Sequence, residues 1–68
     1  MRRITIGERI LVYRREHGIS QQKFGEMVGV TSQAVSKWER GACCPDISLL
    51  PVIADILGIQ IYDFFIKK

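Results

Sequence analysis

The chain has 68 residues, a net charge of +3 and a hydrophobic content of 47%. This length suffices for one domain with a modest core, and the apolar content argues against a disordered chain. No apolar run approaches the roughly 20 residues that span a bilayer, so we expect no membrane partner. Glu8 and Arg9 interrupt the basic and apolar start of the chain, so we expect no signal peptide and a cytoplasmic location.

A first helix is predicted over residues 6–17. Thr5 and Glu8 have the spacing of a capping box, in which each side chain accepts a hydrogen bond from a free amide of the first turn. Gly18 is a typical stop signal. The stripe that this helix would bury, at a spacing of four and then three residues, consists of Ile6, Ile10 and Tyr13.

Two shorter helices are predicted next. Ser20 is a capping residue for the second helix, which Gly29 ends. Thr31 caps the third helix, which is predicted to run from Ser32 to about Arg40 and to stop at Gly41. No segment alternates convincingly between apolar and polar residues, so strands are not expected.

Asp46 is the predicted cap of a fourth helix, which Gly58 ends. Pro51 lacks the amide that a helix interior requires, so we expect either a slight distortion there, which we favour, or a later start at Ser48. A short fifth helix is predicted over residues 61–66. The inward face of the fourth helix consists of Leu50, Ile53, Ala54 and Leu57.

The second and third helices, joined by the sequence VGVT, have the arrangement of a helix-turn-helix at about residues 20–40. Gly25 lies inside the second helix, where a close approach of the two helices would explain it. Val35 and Trp38 anchor the third helix on the core. The remaining face of that helix is hydrophilic and consists of Ser32, Gln33, Ser36 and Lys37.

A helix that packs on one side and carries hydrogen-bonding groups on the other suits the major groove of B-DNA. Gln can pair bidentately with adenine, and Lys can donate to guanine. A merely solvated face is the ordinary alternative for an amphipathic helix. The turn, Gly25 and the tryptophan anchor together favour binding of double-stranded DNA.

The segments GISQ, VGVT, VSKWERG and PDISLL occur in this order. In this respect residues 6–66 resemble the XRE type of helix-turn-helix domain, the group that contains Cro and lambda-type phage repressors. The resemblance implies a compact all-α domain of five helices, here a single domain over residues 1–68, usually dimeric on a pseudo-palindromic operator. It implies base contacts by the four polar residues of the third helix and phosphate contacts by Gln21 and Arg40, to which we add Lys23.

The resemblance also suggests a buried ion pair between Arg14 and Glu39. Arg14 lies close in sequence to the buried stripe of the first helix, and Glu39 follows Trp38 directly. The alternative is two exposed charges with almost no effect on stability. We favour the buried pair.

The sequence departs from the family pattern at a few positions. Tyr13 stands where the family usually has Leu, so its hydroxyl needs a partner or access to solvent, and Gly25 replaces the usual Ala. Cys43 and Cys44 occupy a loop in which relatives often carry Lys, Arg, Ser or Thr, so this loop is a doubtful phosphate contact. Adjacent cysteines cannot form a disulfide framework. They could act as a thiol sensor, but two ordinary loop thiols are the expectation, and no metal site is predicted because His17 is far off.

Phe64 and Phe65 most simply cover the core. Together with Ile61 and Ile66 they present more apolar surface than a short terminal helix can hide. We therefore predict a twofold homodimer through Ile61, Phe64 and Phe65. Its two recognition helices would lie about 34 Å apart, one turn of DNA.

These features predict a sequence-specific transcriptional regulator, with repression the expected outcome. The alternative is a protein-interaction module such as an antitoxin, with DNA binding secondary, but the charges of Lys37 and Arg40 favour DNA. One histidine and scattered carboxylates provide no nucleophile and base at a useful spacing, so an enzyme is not expected. No cofactor and no small-molecule site are predicted.

Overall fold

The computed structural model describes residues 5–59. The predicted fifth helix and the predicted dimer residues Ile61, Phe64 and Phe65 lie outside these residues. Within them the chain forms four α-helices and one 3-10 helix and contains no strand, which confirms the all-α fold class. The helices are α1 (Ile6–His17), α2 (Gln21–Val28), α3 (Ser32–Arg40) and α4 (Leu50–Leu57), with the 3-10 helix at Ile47–Leu49 before α4.

Side-chain caps begin the first three helices as the sequence predicts. At α1 the amide of Glu8 donates to the Thr5 hydroxyl at 3.2 Å, and the amide of Thr5 donates to the Glu8 carboxylate at 3.0 Å. The hydroxyls of Ser20 and Thr31 accept in the same way at the starts of α2 and α3. These bonds satisfy amides that have no partner inside the helix, which is why the boundaries follow the local sequence.

The start of the fourth helix differs from the expectation of one distorted helix from Asp46. The Asp46 carboxylate caps the 3-10 helix by accepting from the amide of Ser48, and α4 begins only at Leu50. Pro51 therefore lies in the first turn of α4. An amide is not needed there, and the fixed φ of proline suits a helix start.

The core lies where α1, α2, α3 and α4 meet. Ile10, Phe24, Val35 and Ile53 have no exposed surface, and Trp38 retains 5%. Tyr13 contacts Phe24 edge to face, with ring centroids 6.1 Å apart, and stacks on His17 at 4.1 Å. Full burial of one residue from each helix fixes the orientation of α3.

Two glycines permit close approaches between helices and backbone. A Cβ on Gly7 in α1 would overlap the carbonyl oxygen of Trp38 and lie 3.0 Å from its carbonyl carbon. A Cβ on Gly25 would lie 2.6 Å from the carbonyl oxygen of Val30. The crowding expected at Gly25 is therefore present, and it comes from the turn that precedes α3.

Candidate nucleic-acid interface

A tight turn joins α2 to α3. Gly29 ends α2 with a φ of 96°, a left-handed conformation that residues with a Cβ rarely adopt. The amides of Gly29 and Val30 both donate to the carbonyl oxygen of Gly25, at 2.7 and 2.8 Å. Thr31 then caps α3 at once. The three residues that connect α2 and α3 thus fix the orientation of one helix relative to the other.

The helix α3 has one buried and one accessible face. Val35 and Trp38 pack into the core. Gln33 and Lys37 are exposed, and Ser32 and Ser36 are half-buried. The structure therefore brings the four residues predicted to read bases onto the side of α3 that is not packed in the core.

The polar side chains of this face make few contacts within the protein. The Ser36 hydroxyl accepts from Nε of Arg40 at 3.4 Å, and the Ser32 hydroxyl donates to Oε1 of Gln33 at 3.4 Å. Both distances lie beyond the ordinary range, so these bonds are weak. Side chains held this loosely can exchange their partners for a ligand at little cost.

Arg14 and Glu39 join α1 to α3 by a bidentate ion pair. Nε of Arg14 lies 2.6 Å from Oε2 of Glu39, and Nη2 lies 2.9 Å from Oε1. Nη1 of Arg14 also donates to the carbonyl oxygen of Ile19 at 3.1 Å. The side chain of Arg14 is 15% exposed to solvent and that of Glu39 is 7% exposed, so the pair is largely but not fully buried.

The environment shifts the pKa of both partners of the pair. Burial raises the pKa of the Glu39 carboxyl, but hydrogen bonds from Arg14 and Gln21 and the charges of Arg14 and Arg15 outweigh burial and lower that pKa overall. The hydrogen bond to Glu39 raises the pKa of Arg14 against desolvation. Both groups are therefore held in their charged forms.

Gln21, predicted to contact phosphate, lies at the start of α2 and also belongs to this network. Its Nε2 donates to Oε1 of Glu39 at 3.1 Å. The sequence did not predict this link, because nothing in the spacing of two residues 18 positions apart indicates that they meet. The primary amide has a second N–H, which remains available for an acceptor outside the protein.

The other predicted site residues lie at separate places. Lys23 is exposed on α2, and Arg40 is exposed at the last turn of α3. Cys43 and Cys44 are free and exposed in the loop after α3, and Nδ1 of His17 lies 3.0 Å from the carbonyl oxygen of Tyr13. Over residues 5–59 the structure shows neither a metal site nor a membrane span. No three His, Cys, Asp or Glu side chains are grouped there so as to hold a metal ion.

In the same part of the chain no helix has the length and apolar content to cross a membrane.

A sequence profile of the helix-turn-helix family matches residues 10–64. Among curated proteins, the SPbeta prophage-derived uncharacterized HTH-type transcriptional regulator YonR of Bacillus subtilis is 38% identical over 61 residues, which are 90% of this chain and 56% of that protein. The HTH-type transcriptional regulator PuuR of Escherichia coli is 32% identical over 59 residues, 87% of this chain and 32% of that protein. The chain thus spans about half, or less, of the length of these relatives.

Solved structures of DNA-binding repressor domains also resemble this chain. The P22 c2 repressor in complex with a synthetic operator superposes with a TM-score of 0.79 at 33% identity, covering 90% of this chain and 92% of that one. The N-terminal DNA-binding domain of SinR from Bacillus subtilis superposes with a TM-score of 0.73 at 31% identity, and 93% of each chain is covered. None of these proteins is described as an antitoxin, so the alternative function gains no support.

Proposed function

This chain belongs to the helix-turn-helix family, with the XRE-type fold of phage repressor domains, and on that premise we propose that it is a sequence-specific, double-stranded DNA-binding transcriptional regulator that acts as a repressor. One observation carries the proposal. The helix α3 is fixed by the buried Val35 and Trp38, while Gln33 and Lys37 are exposed on its other side. An α-helix presented in this way fits the major groove.

Four side chains on α3 are proposed to read bases. Gln33 can bind adenine through its amide oxygen and nitrogen, and Lys37 can donate to the acceptors of guanine. Ser32 and Ser36 are short, so they allow the helix to approach the base edges closely. The hydrogen bonds of Ser32, Gln33 and Ser36 within the protein are weak, and Lys37 is exposed, so all four side chains are available to the DNA.

Three further residues are proposed to hold the DNA backbone. Lys23 and Arg40 are exposed cations at α2 and at the end of α3, and the free N–H of Gln21 can donate to a phosphate oxygen. Contacts of this kind fix the position of a protein on the duplex without distinguishing its sequence. Because Glu39 holds the Gln21 side chain, the Arg14–Glu39 pair also orients one of these contacts.

A twofold homodimer through Ile61, Phe64 and Phe65 forms part of the proposal. The apolar character of these residues supports it. Two copies would present two such helices about 34 Å apart to a pseudo-palindromic operator. Such a regulator acts in the cytoplasm, on the DNA of the nucleoid.

The decisive experiment selects the sequences that this protein retains from a pool of random duplexes. We expect a palindromic consensus with half-sites one helical turn apart. Enrichment of a single, non-palindromic half-site would contradict the dimer, and no enrichment at all would contradict sequence-specific binding.

The selected duplex then tests readout by Gln33. We expect Gln33→Ala to weaken binding to that duplex by about 1–3 kcal/mol and to relax the preference at one base position, with little effect on random DNA. Gln22→Ala, which removes the same side chain from an exposed position of α2, is the matched control and should leave the preference intact. Equal losses on selected and random DNA after Gln33→Ala would exclude base readout by this residue.

A further inference from the structure

Two adjacent thiols lie in the loop that follows the proposed reading helix. Cys43 and Cys44 are both free and both exposed, and they lie two and three residues after Gly41, which ends α3. Neither thiol takes part in the core or in the polar network described above. The pair is thus a chemically reactive group that the proposed function leaves unused.

The structure fixes the short loop that carries these thiols. The amide of Gly41 donates to the carbonyl oxygen of Trp38 at 3.1 Å, and the amide of Ala42 donates to that of Lys37 at 2.9 Å. On the other side of the thiols Pro45 is buried, and Asp46 caps the 3-10 helix. A group bound to the thiols is therefore held at the C-terminal end of α3, one residue from an amide bonded to Lys37.

Adjacency makes the pair a poor disulfide and a good chelate. The peptide bond between the two residues is trans, so their Cα atoms are about 3.8 Å apart. Disulfides need a Cα separation of about 4.4–6.8 Å, so a bond between the two sulfurs would be strained. One larger atom inserted between the sulfurs lengthens the ring and relieves this strain. Cys43 lies in a bend of the loop and not in an extended strand.

We propose that Cys43 and Cys44 form a bidentate dithiol site for trivalent arsenicals. Thiolates are soft ligands that prefer soft, thiophilic partners. A monosubstituted arsenical needs only two protein thiols, since its organic substituent is already the third group on arsenic. This requirement matches a pair with no third His, Cys, Asp or Glu grouped with it in the described part of the chain.

The binding step balances without an oxidant. With phenylarsine oxide, two S–As bonds form, the bonds between arsenic and oxygen break, and the two thiol protons leave with the oxygen as one molecule of water. Arsenic remains trivalent, and no electron is transferred. The product carries a phenyl group on the loop at the end of α3.

Capture is expected to reduce DNA binding, and this second part of the inference rests on the proposed function. The loop is hydrogen-bonded to the backbone of Lys37, a residue that we place against a base. A bulky apolar group there obstructs the approach of α3 to the groove.

Phenylarsine oxide and intact-protein mass spectrometry test the site without DNA. We expect one phenylarsenic group per chain, retained in excess 2-mercaptoethanol and released by dithiothreitol, because only a dithiol competes with a two-bond chelate. Cys43→Ser and Cys44→Ser should each abolish retention in the monothiol. Retention by either single variant, release from the wild type by the monothiol, or an adduct that links two chains would overturn the proposal.

The duplex selected above tests the effect on DNA. We expect the arsenical to weaken binding by the wild type roughly tenfold or more and to leave binding by Cys44→Ser unchanged. Retention of the arsenical with undiminished DNA binding would overturn the coupling to α3. Failure of the untreated protein to bind any duplex would overturn the proposed function, while the mass measurement would still decide the dithiol site.

Discussion

The Glu39 carboxylate accepts hydrogen bonds from Nε and Nη2 of Arg14 and from Nε2 of Gln21. Removal of one partner of a buried ion pair leaves the other charge buried and costs about 3–5 kcal/mol. Because some surface remains exposed here, we expect Arg14→Met and Glu39→Leu each to lower the free energy of unfolding by about 3 kcal/mol, the lower end of this range. Urea unfolding measures both.

The double variant Arg14→Met/Glu39→Leu separates coupling from simple loss of packing. We expect its destabilisation to fall short of the sum of the single effects by at least about 1 kcal/mol, because no unpaired charge remains. Lys23→Met, which removes an exposed cation of α2 that does not face Glu39, should stay within about 0.5 kcal/mol of the wild type. Additive single effects would show that the two charges act independently.

Acid should weaken the contribution of Glu39. The pKa of its carboxyl is lowered in the folded protein, so the stabilisation is fully present above the unfolded-state pKa of about 4.3 and is lost as the pH falls through the folded-state pKa. We expect the stability difference between wild type and Glu39→Gln to shrink from neutral pH to about pH 3. Urea unfolding at each pH provides the measurement, with Glu16→Gln on the exposed side of α1 as the control. A difference that does not change with pH would contradict this account.

At the scale of the helices, Gly7 determines how closely α1 approaches α3. Any Cβ at this position overlaps the carbonyl oxygen of Trp38, and the backbone of α3 cannot move without displacing its buried side chains. We expect Gly7→Ala to destabilise the protein by about 1–3 kcal/mol. This expected loss is the net effect: the cost of the overlap outweighs the gain of about 0.5–1 kcal/mol that alanine brings to a helix interior.

Thermal or urea unfolding of Gly7→Ala measures this balance. Glu16→Ala, on the exposed side of the same helix, controls for helix propensity and should change stability by less than about 0.5 kcal/mol. A Gly7→Ala variant as stable as the wild type would mean that α1 and α3 can separate without loss of packing.

The helices that could be predicted from the sequence are those with local signals at both ends. The capping residues and stop glycines of α1, α2 and α3 act within one turn, so their positions follow from the residues themselves. The region from Asp46 to Pro51 carries two signals, a cap and a proline, and both are satisfied by a 3-10 helix followed by α4. The spacing of the cap and the proline did not indicate that the segment would divide into a 3-10 helix and a separate α-helix.

The faces of α3 could also be predicted, because the spacing of Val35 and Trp38 leaves only one side for the polar residues. The contact of Gly7 with Trp38 and that of Gln21 with Glu39 could not. Both join residues that are distant in sequence, and they exist only because the helices pack at one particular separation. Long-range contacts of this kind leave no local pattern.

For the whole molecule, the net charge of +3 means that the dependence of DNA affinity on salt concentration tests the proposed interface. Each phosphate contact releases counterions from DNA. We expect Arg40→Ala to weaken binding to selected and random duplexes alike and to reduce the slope of log affinity against log salt concentration by about one. Gln33→Ala is the contrasting variant, because loss of a base contact should leave the slope unchanged. An unaltered slope after Arg40→Ala would place this residue away from phosphate.

The burial of Trp38 has a practical consequence. It is the only tryptophan of the chain, it retains 5% of its surface, and it lies on the side of α3 opposite the exposed Gln33 and Lys37. Its fluorescence therefore reports on the interior alone: the emission shifts to longer wavelength when the protein unfolds, and a ligand on the opposite side does not touch the indole. Every unfolding experiment described above can thus be followed optically on unlabelled protein, with one intrinsic reporter located at the junction of the helices.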